Sequence, residues 1–163
     1  MKAISFEPIV NEQSRILILG TMPGIKSLEK NQYYAHPRNA FWQIMFRLFN
    51  TEFSNNYEDR KNLILKNKLA LWDTLKLCFR EGSLDTNIKN EEANEIHQLL
   101  EKYPKIHSII FNGKAAEKFY RRYFQNKNPI KYYQLPSTSP ANATKSFNEK
   151  FAEWKLILDL LKY

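Results

Sequence analysis

The stretch Arg15–Trp42, RILILGTMPGIKSLEKNQYYAHPRNAFW, reads as a buried strand that empties into a long polar loop closing on a helix. Arg15–Leu19 is a short, continuously apolar run, as expected of a strand covered on both faces. The chain has only four glycines, and Gly20 and Gly24 bracket the turn at the end of this run. Glycine is used where backbone bends sharply or approaches another group closely. A third glycine, Gly113, follows a second apolar run, SIIFN. In open α/β sheets ligands bind beyond the carboxyl ends of the strands, so three of the four glycines fall where a site is expected.

Working outward, short apolar runs alternate with helical patterns, the signature of βαβ units and a mostly parallel sheet. Strands are expected at Arg15–Leu19, Leu69–Trp72, Ser108–Phe111 and Lys131–Leu135. Helices are expected at Ala40–Phe49, Tyr57–Lys66, Glu91–Lys102, Lys114–Phe124 and Phe147–Leu161, the last with Phe151, Trp154, Leu158 and Leu161 on one stripe. Three irregular stretches remain: Thr21–Asn39, Asp73–Asn90 and Pro136–Ser146. Each follows a strand, so all three can converge on one rim.

Composition bounds the function. With 163 residues, 43% of them hydrophobic, the chain can bury one substantial core, and residues 1–163 are read as a single domain. No run of about 18 apolar residues occurs and the N-terminus lacks the apolar stretch of a signal peptide, which predicts a soluble, cytoplasmic, nucleoid-associated protein that does not engage membranes. Cys78 is the only cysteine, which excludes an internal disulfide and thiolate metal clusters. The net charge of +8 suits a polyanionic partner. Lysine (18) outnumbers arginine (7) and asparagine reaches 16, a bias that AT-rich coding would also produce. No phosphate-binding Gly-rich loop, zinc spacing or Ser-His-Asp set of known form is present.

Six strings, in order along nearly the whole chain, carry a family resemblance: GTMPG, QYYAHPRNAFW, LWDTL, REGSLD, FNG and LPSTSPANA. Together they resemble the uracil-DNA glycosylase superfamily, and most of all its hypoxanthine-DNA (deoxyinosine) glycosylase branch. The resemblance implies a three-layer α/β/α sandwich around a central four-stranded parallel sheet. It implies a monofunctional glycosylase of base excision repair that flips deaminated adenine from DNA and hydrolyses its N-glycosidic bond, acting as a monomer, without metal or cofactor, on DNA containing deaminated bases. The alternatives are a mismatch-type uracil glycosylase using the same pocket, a damaged-DNA-binding module that has lost catalysis, and, more remotely, a hydrolase of free nucleosides.

The resemblance also implies roles. GTMPG resembles the first motif of the superfamily, where an Asp or Asn commonly positions the attacking water. Here that residue is Met22, whose thioether can neither orient nor deprotonate water. Asn39, in the HPRN string, is the catalytic residue implied instead; its carboxamide suffices if the transition state resembles an oxocarbenium ion. Asn39 also suits a helix N-cap, and the two roles are compatible. Tyr33 and Tyr34 precede the same string, with Tyr34 aligned to stack on a flipped base. His36 would contact phosphate or brace the loop. Asn112 has a carboxamide that can accept from hypoxanthine N1–H and donate to O6, the edge that uracil presents with N3–H and O4; a cap for the next helix is the alternative. Gly20, Pro23 and Gly24, with the loop Ser137, Ser139, Pro140, Ala141 and Asn142, would grip the DNA backbone, Ala141 standing where a larger wedge is common. Asp73, Ser83 and Asp85 read as residues forming local Asx-type turns, and His97 and His107 as incidental.

Overall fold

The apolar run 16–20 lies at the centre of the molecule because both of its faces are covered. In the computed structural model, which describes residues 1–163, the strands are β1 (Lys2–Ile4), β2 (Ile16–Gly20), β3 (Leu69–Asp73), β4 (Leu75–Phe79), β5 (Lys89–Ala93), β6 (Ser108–Asn112) and β7 (Lys131–Leu135). The helices are α1 (Ile25–Lys30), α2 (Phe41–Leu48), α3 (Tyr57–Lys66), α4 (Ile96–Lys102), α5 (Lys114–Tyr123), α6 (Phe147–Trp154) and α7 (Leu156–Leu160).

Four strands form a parallel sheet in the order β3-β2-β6-β7. The period-two alternation of a strand sorts its side chains between two cores. Ile16, Ile18, Leu69, Leu71 and Ile110 pack with Phe41, Trp42, Ile44 and Met45 of α2, Leu63 and Ile64 of α3, and Trp154 and Ile157 from the C-terminal helices. Leu17, Leu19, Ala70, Ile109 and Phe111 pack with Ile96, Leu99 and Leu100 of α4 and Ala116 and Tyr120 of α5. The result is the three-layer α/β/α sandwich expected from the sequence.

Five expectations are corrected. A second sheet exists, antiparallel, in the order β1-β4-β5; its strands are short, and one of them reads KNEEA. Such residues favour helix by themselves, and pairing with β4 overrides that propensity. The helix expected over Glu91–Lys102 therefore starts only at Ile96. The stretch Asp73–Asn90, expected to be irregular, contains β4, which follows β3 after the single corner residue Thr74. Helix α1 sits inside the supposed loop, started by a group distant in sequence: the Ile25 N–H donates to Ser83 Oγ at 2.9 Å. The C-terminal stripe is divided at Lys155 into α6 and α7. Residue Ser146 opens α6 with a reciprocal capping box to Glu149.

Registry places the polar ends of three strands side by side. Gly20 of β2 pairs with Asp73 of β3, while β6, the neighbour of β2 on its other side, ends in Asn112. The small sheet brings its own apolar cluster, Ala3, Leu75 and Cys78 with Phe119, against Met22 of the GTMPG turn.

Candidate functional site

The loops that follow β2, β4 and β7, with the ends of β3 and β6, enclose one cavity of about 650 Å³, lined on its several sides by Gly20–Ser27, Tyr33, Tyr34, His36, Asn39, Asp73, Ser83–Thr86, Asn112 and Ser137–Asn142. Every residue to which the resemblance gives a role lies on its wall. Their side chains, however, are committed in different ways.

Asn39 stands one residue before Ala40, the N-cap of α2, and its Oδ1 accepts from Phe41 N–H, the first residue of the helix, at 3.0 Å. One oxygen lone pair and the amide hydrogens remain for a ligand or water. The start of the helix is tied to the third loop as well, because Ala40 N–H donates to the Thr138 carbonyl at 3.0 Å. Position 39 is thus held from both sides.

Tyr34 adopts a left-handed backbone conformation with φ of 53°, uncommon outside glycine and frequent at functional positions. Its half-buried ring stacks on Phe41, centroids 4.1 Å apart. Its hydroxyl is buried without a hydrogen-bond partner, and burial with the charge of Asp73 pushes that hydroxyl far above the ordinary phenol range. Tyr33 points differently. It is buried in the main core, donates to the Glu7 carbonyl at 2.7 Å, and its own carbonyl accepts from Trp42 Nε1 at 2.8 Å. Met22 is 8% exposed and packs with the small sheet.

Gly20 is glycine because two groups lie against its Cα. A Cβ there would stand 2.5 Å from Asp73 Oδ1 and 2.9 Å from the Tyr34 hydroxyl. At Gly113, φ is 96° and a Cβ would meet Ser137 Cβ at 2.9 Å. Both substitutions would force atoms closer than carbon side chains tolerate.

The third loop is built from its own polar groups. Ser139 N–H donates to Ser137 Oγ and Ala141 N–H to Ser139 Oγ, while Asn142 Nδ2 donates to the Ser137 carbonyl. From behind, Trp154 Nε1 holds the Pro136 carbonyl at 2.9 Å and the buried Lys150 ammonium donates to the Ser139 carbonyl at 3.3 Å. Ala141 is exposed at the tip. His36 accepts from Arg38 N–H through Nδ1 at 3.0 Å, which bends its own loop.

Asn112 is joined to this loop at both atoms of its carboxamide: Nδ2 donates to Thr138 Oγ1 at 3.0 Å and Oδ1 accepts from Thr138 N–H at 2.9 Å. Gly113 N–H also donates to the Leu135 carbonyl at 2.9 Å. The end of β6 is a staple for Pro136–Ser146.

Asp73 was assigned from the sequence to a local turn, and its surroundings show more. It is 3% exposed, its Oδ2 has no hydrogen-bond partner, and its carboxyl is pushed up to about 7 by burial and by the charge of Asp85, with Arg80 opposing. Its backbone is fixed independently of its side chain. Asn94 Nδ2 donates to the carbonyls of Asp73 and Leu75 at 2.8 and 3.1 Å, and Thr74 N–H donates to the Gly20 carbonyl at 2.8 Å. Arg80, buried, donates to the Pro23 carbonyl and stands 3.6 Å from Asp85, joining the loop after β4 to the GTMPG turn. The one signal in the sequence was position: Asp73 ends a strand, as Asn112 does.

A family model, the uracil DNA glycosylase superfamily, matches residues 7–162. The chain is 39% identical over 120 residues to a hypoxanthine DNA glycosylase of Methanosarcina barkeri, covering 73% of this chain and 76% of the relative. It is 35% identical over 153 residues to a hypoxanthine DNA glycosylase of Methanosarcina acetivorans, covering 93% and 95%. The solution NMR structure of a candidate uracil DNA glycosylase from Methanosarcina acetivorans superposes over the full length of both chains with a TM-score of 0.83 at 34% identity. On the strength of a match across almost its entire length and of this shared fold, the chain belongs to the uracil DNA glycosylase superfamily.

Proposed function

We propose that this protein removes hypoxanthine from DNA by flipping deoxyinosine into the cavity and hydrolysing its N-glycosidic bond, leaving an abasic site. The two relatives named as hypoxanthine DNA glycosylases support the substrate class. The observation that carries the reading is that a half-buried, Phe41-backed tyrosine and a fixed asparagine line the same cavity. Stacking on Tyr34 holds a base without discriminating among bases and contributes about 1 to 3 kcal/mol. Asn39 orients water toward C1′ with the lone pair and amide hydrogens left by its bond from Phe41 N–H. As the C1′–N9 bond breaks, its electron pair leaves with the purine, the water oxygen adds to C1′, and the purine takes up the proton that the water loses. Weak activation of water suffices because the sugar is already electron-poor. The GTMPG turn and the Ser137–Asn142 loop grip the DNA backbone, with the +8 net charge favouring phosphate contact.

The test is single-turnover cleavage of duplexes carrying inosine, uracil or no lesion, with free deoxyinosine as a fourth substrate. Abasic product from the inosine duplex, exceeding that from uracil, is the expected outcome. Asn39→Ala should lower the rate about 10² to 10⁴-fold while retaining DNA binding. Faster cleavage of uracil than of inosine would assign the protein to uracil repair, and lesion binding without product would make it a damage-binding module.

A further inference from the structure

We propose that Lys150 is the charge with which the Ser137–Asn142 loop holds DNA: in the free protein it is a buried ammonium without an acid, and one backbone phosphate becomes its counter-charge. The inference rests on the glycosylase reading above for the nature of the polyanion, and deepens it by naming a residue behind the cavity wall that acts through the loop.

Among the 25 lysines and arginines only Arg80 and Lys150 are buried, and they differ in company. Arg80 has Asp85 at 3.6 Å. Lys150, 5% exposed, forms no ion pair, although lysine is almost never buried unless paired. One of its three N–H donors meets a protein acceptor, the Ser139 carbonyl at 3.3 Å, and that carbonyl already accepts from Asn142 N–H at 3.0 Å. The two carboxylates of α6 are committed elsewhere. Glu149 accepts from the Ser146 N–H at 2.9 Å, and Glu153 pairs with the Lys145 ammonium at 2.7 Å. Lys150 also lies near the N-terminus of α6, where the helix field favours an anion over a cation. Burial draws its amine below the ordinary lysine range. A charge kept out of water with no opposite charge beside it is destabilising, so an anion that arrives later has that much to relieve.

The loop in front of Lys150 is made to receive such an anion. Ser137 Oγ accepts from Ser139 N–H and Ser139 Oγ from Ala141 N–H, so each hydroxyl has its oxygen engaged and its own hydrogen left to donate. Both serines line the cavity, and the segment 136–146 contains no acid. Hydroxyl donors in front with a cation behind suit a phosphate. Lys150 stands behind the loop, which makes it a positioning residue: its charge reaches the phosphate across one layer of protein, where salt screens it little. The Thr138 carbonyl holds Ala40 N–H, so a phosphate drawn onto this loop is registered at the start of α2, beside Asn39.

The experiment compares wild type with Lys150→Met, Lys150→Gln and Lys150→Arg. Met keeps the buried stem without the charge, Gln keeps a donor for the Ser139 carbonyl without the charge, and Arg keeps the charge. Affinity for a lesion-free duplex and for an inosine duplex is measured from about 50 to 200 mM NaCl. Lys150→Met and Lys150→Gln should bind both duplexes more weakly, by up to about tenfold at low salt, and the slope of log affinity against log salt should be shallower by about 0.9, the share of one phosphate. Lys150→Arg should keep the wild-type slope. Without DNA, Lys150→Met should melt about 2 to 4 °C above wild type, because an uncompensated buried charge is gone. Inorganic phosphate should raise the Tm of wild type more than NaCl of equal ionic strength does, and should lose that advantage in Lys150→Met.

The salt slope decides. Wild-type slopes in Lys150→Met and Lys150→Gln overturn the proposal. A wild-type slope in Lys150→Gln alone also overturns it and reduces Lys150 to a hydrogen bond that pins the loop. A slope as shallow in Lys150→Arg as in Lys150→Gln overturns it too, since charge is then not the cause; this pair decides if Lys150→Met does not fold. Phosphate stabilisation lost in Lys150→Met with unchanged duplex slopes assigns the loop to free phosphate and overturns its role on DNA. Base release is scored in the same samples, so the two readings fail separately. Shallower slopes without base release from any duplex uphold Lys150 and overturn the glycosylase reading, whereas inosine cleavage with unchanged slopes does the reverse.

Discussion

Asp73 and Asn112 occupy matching places, each ending a strand beside β2 and each facing the same cavity, yet the fold uses them in opposite ways. At Asn112 the side chain is tied down: each carboxamide atom makes one bond to Thr138, which fixes the third loop, and that loop in turn holds the start of α2 through Ala40. At Asp73 the backbone is tied down instead. Asn94 and the Gly20 pairing fix the main chain, and the carboxyl is left buried and unpaired. A group whose hydrogen bonds are satisfied within the protein adds stability, while one held in place with bonds to spare adds recognition at a cost in stability.

The most disruptive way to test the contrast is to crowd Gly20. Gly20→Ala drives a methyl into Asp73 Oδ1 and the Tyr34 hydroxyl together, and should cost about 3 kcal/mol, the upper part of the usual range for overpacking a buried site. Urea denaturation measures it. An unaltered midpoint would mean that the Asp73 side of the cavity yields freely and is no fixed recognition surface.

Next in size is the staple. Asn112→Ala leaves the Thr138 N–H without its acceptor and should lower stability by about 1 to 3 kcal/mol. Asn112→Asp keeps that acceptor, and the Thr138 hydroxyl can turn to donate to the second oxygen, so most of the loss should be avoided. If Asn112→Asp folds well and still cleaves inosine, the residue is a staple; if it folds well and cleavage is abolished, the reading of the base belongs to Asn112 and the contrast with Asp73 collapses.

Per pH unit, the smallest effect is that of Asp73 ionisation. Asp73 holds its proton up to about 7 in the folded protein, whereas an unfolded aspartate loses it from 3.8. Between those values the native state binds the extra proton, so stability falls as pH rises through the interval and levels off above it. The slope is at most about 1.4 kcal/mol per pH unit, or about 2 to 4 °C in Tm for a domain of this size. Asp73→Asn should flatten the profile and exceed wild type at pH 8. Equal pH dependence of Tm in the two proteins would return Asp73 to an ordinary ionised carboxylate.

The central sheet was legible because its signal is local. Runs such as ILIL and SIIF are apolar on both faces, and the alternating assignment of Ile16 and Ile18 to one core and Leu17 and Leu19 to the other follows from strand geometry alone. The second sheet was not legible. KNEEA carries no apolar alternation, and only its antiparallel partner β4 makes it a strand. Likewise α1 depends on Ser83, 58 residues away along the chain from the N–H it caps.

The same division runs through the site. By itself the sequence determined that polar residues and two glycine turns would gather beyond the carboxyl ends of parallel strands, because strand ends, glycines and loop composition are written locally, while the family resemblance is what singled out Asn39, Tyr34 and Asn112. The sequence could not apportion hydrogen bonds. Whether Asn112 or Asp73 keeps free atoms depends on Thr138, Asn94, Arg80 and Asp85 arriving from distant segments, and only the folded chain brings them there. The charge state of Asp73 is likewise a tertiary property, since water would leave that carboxyl ionised at neutral pH and only burial beside another acid holds its proton.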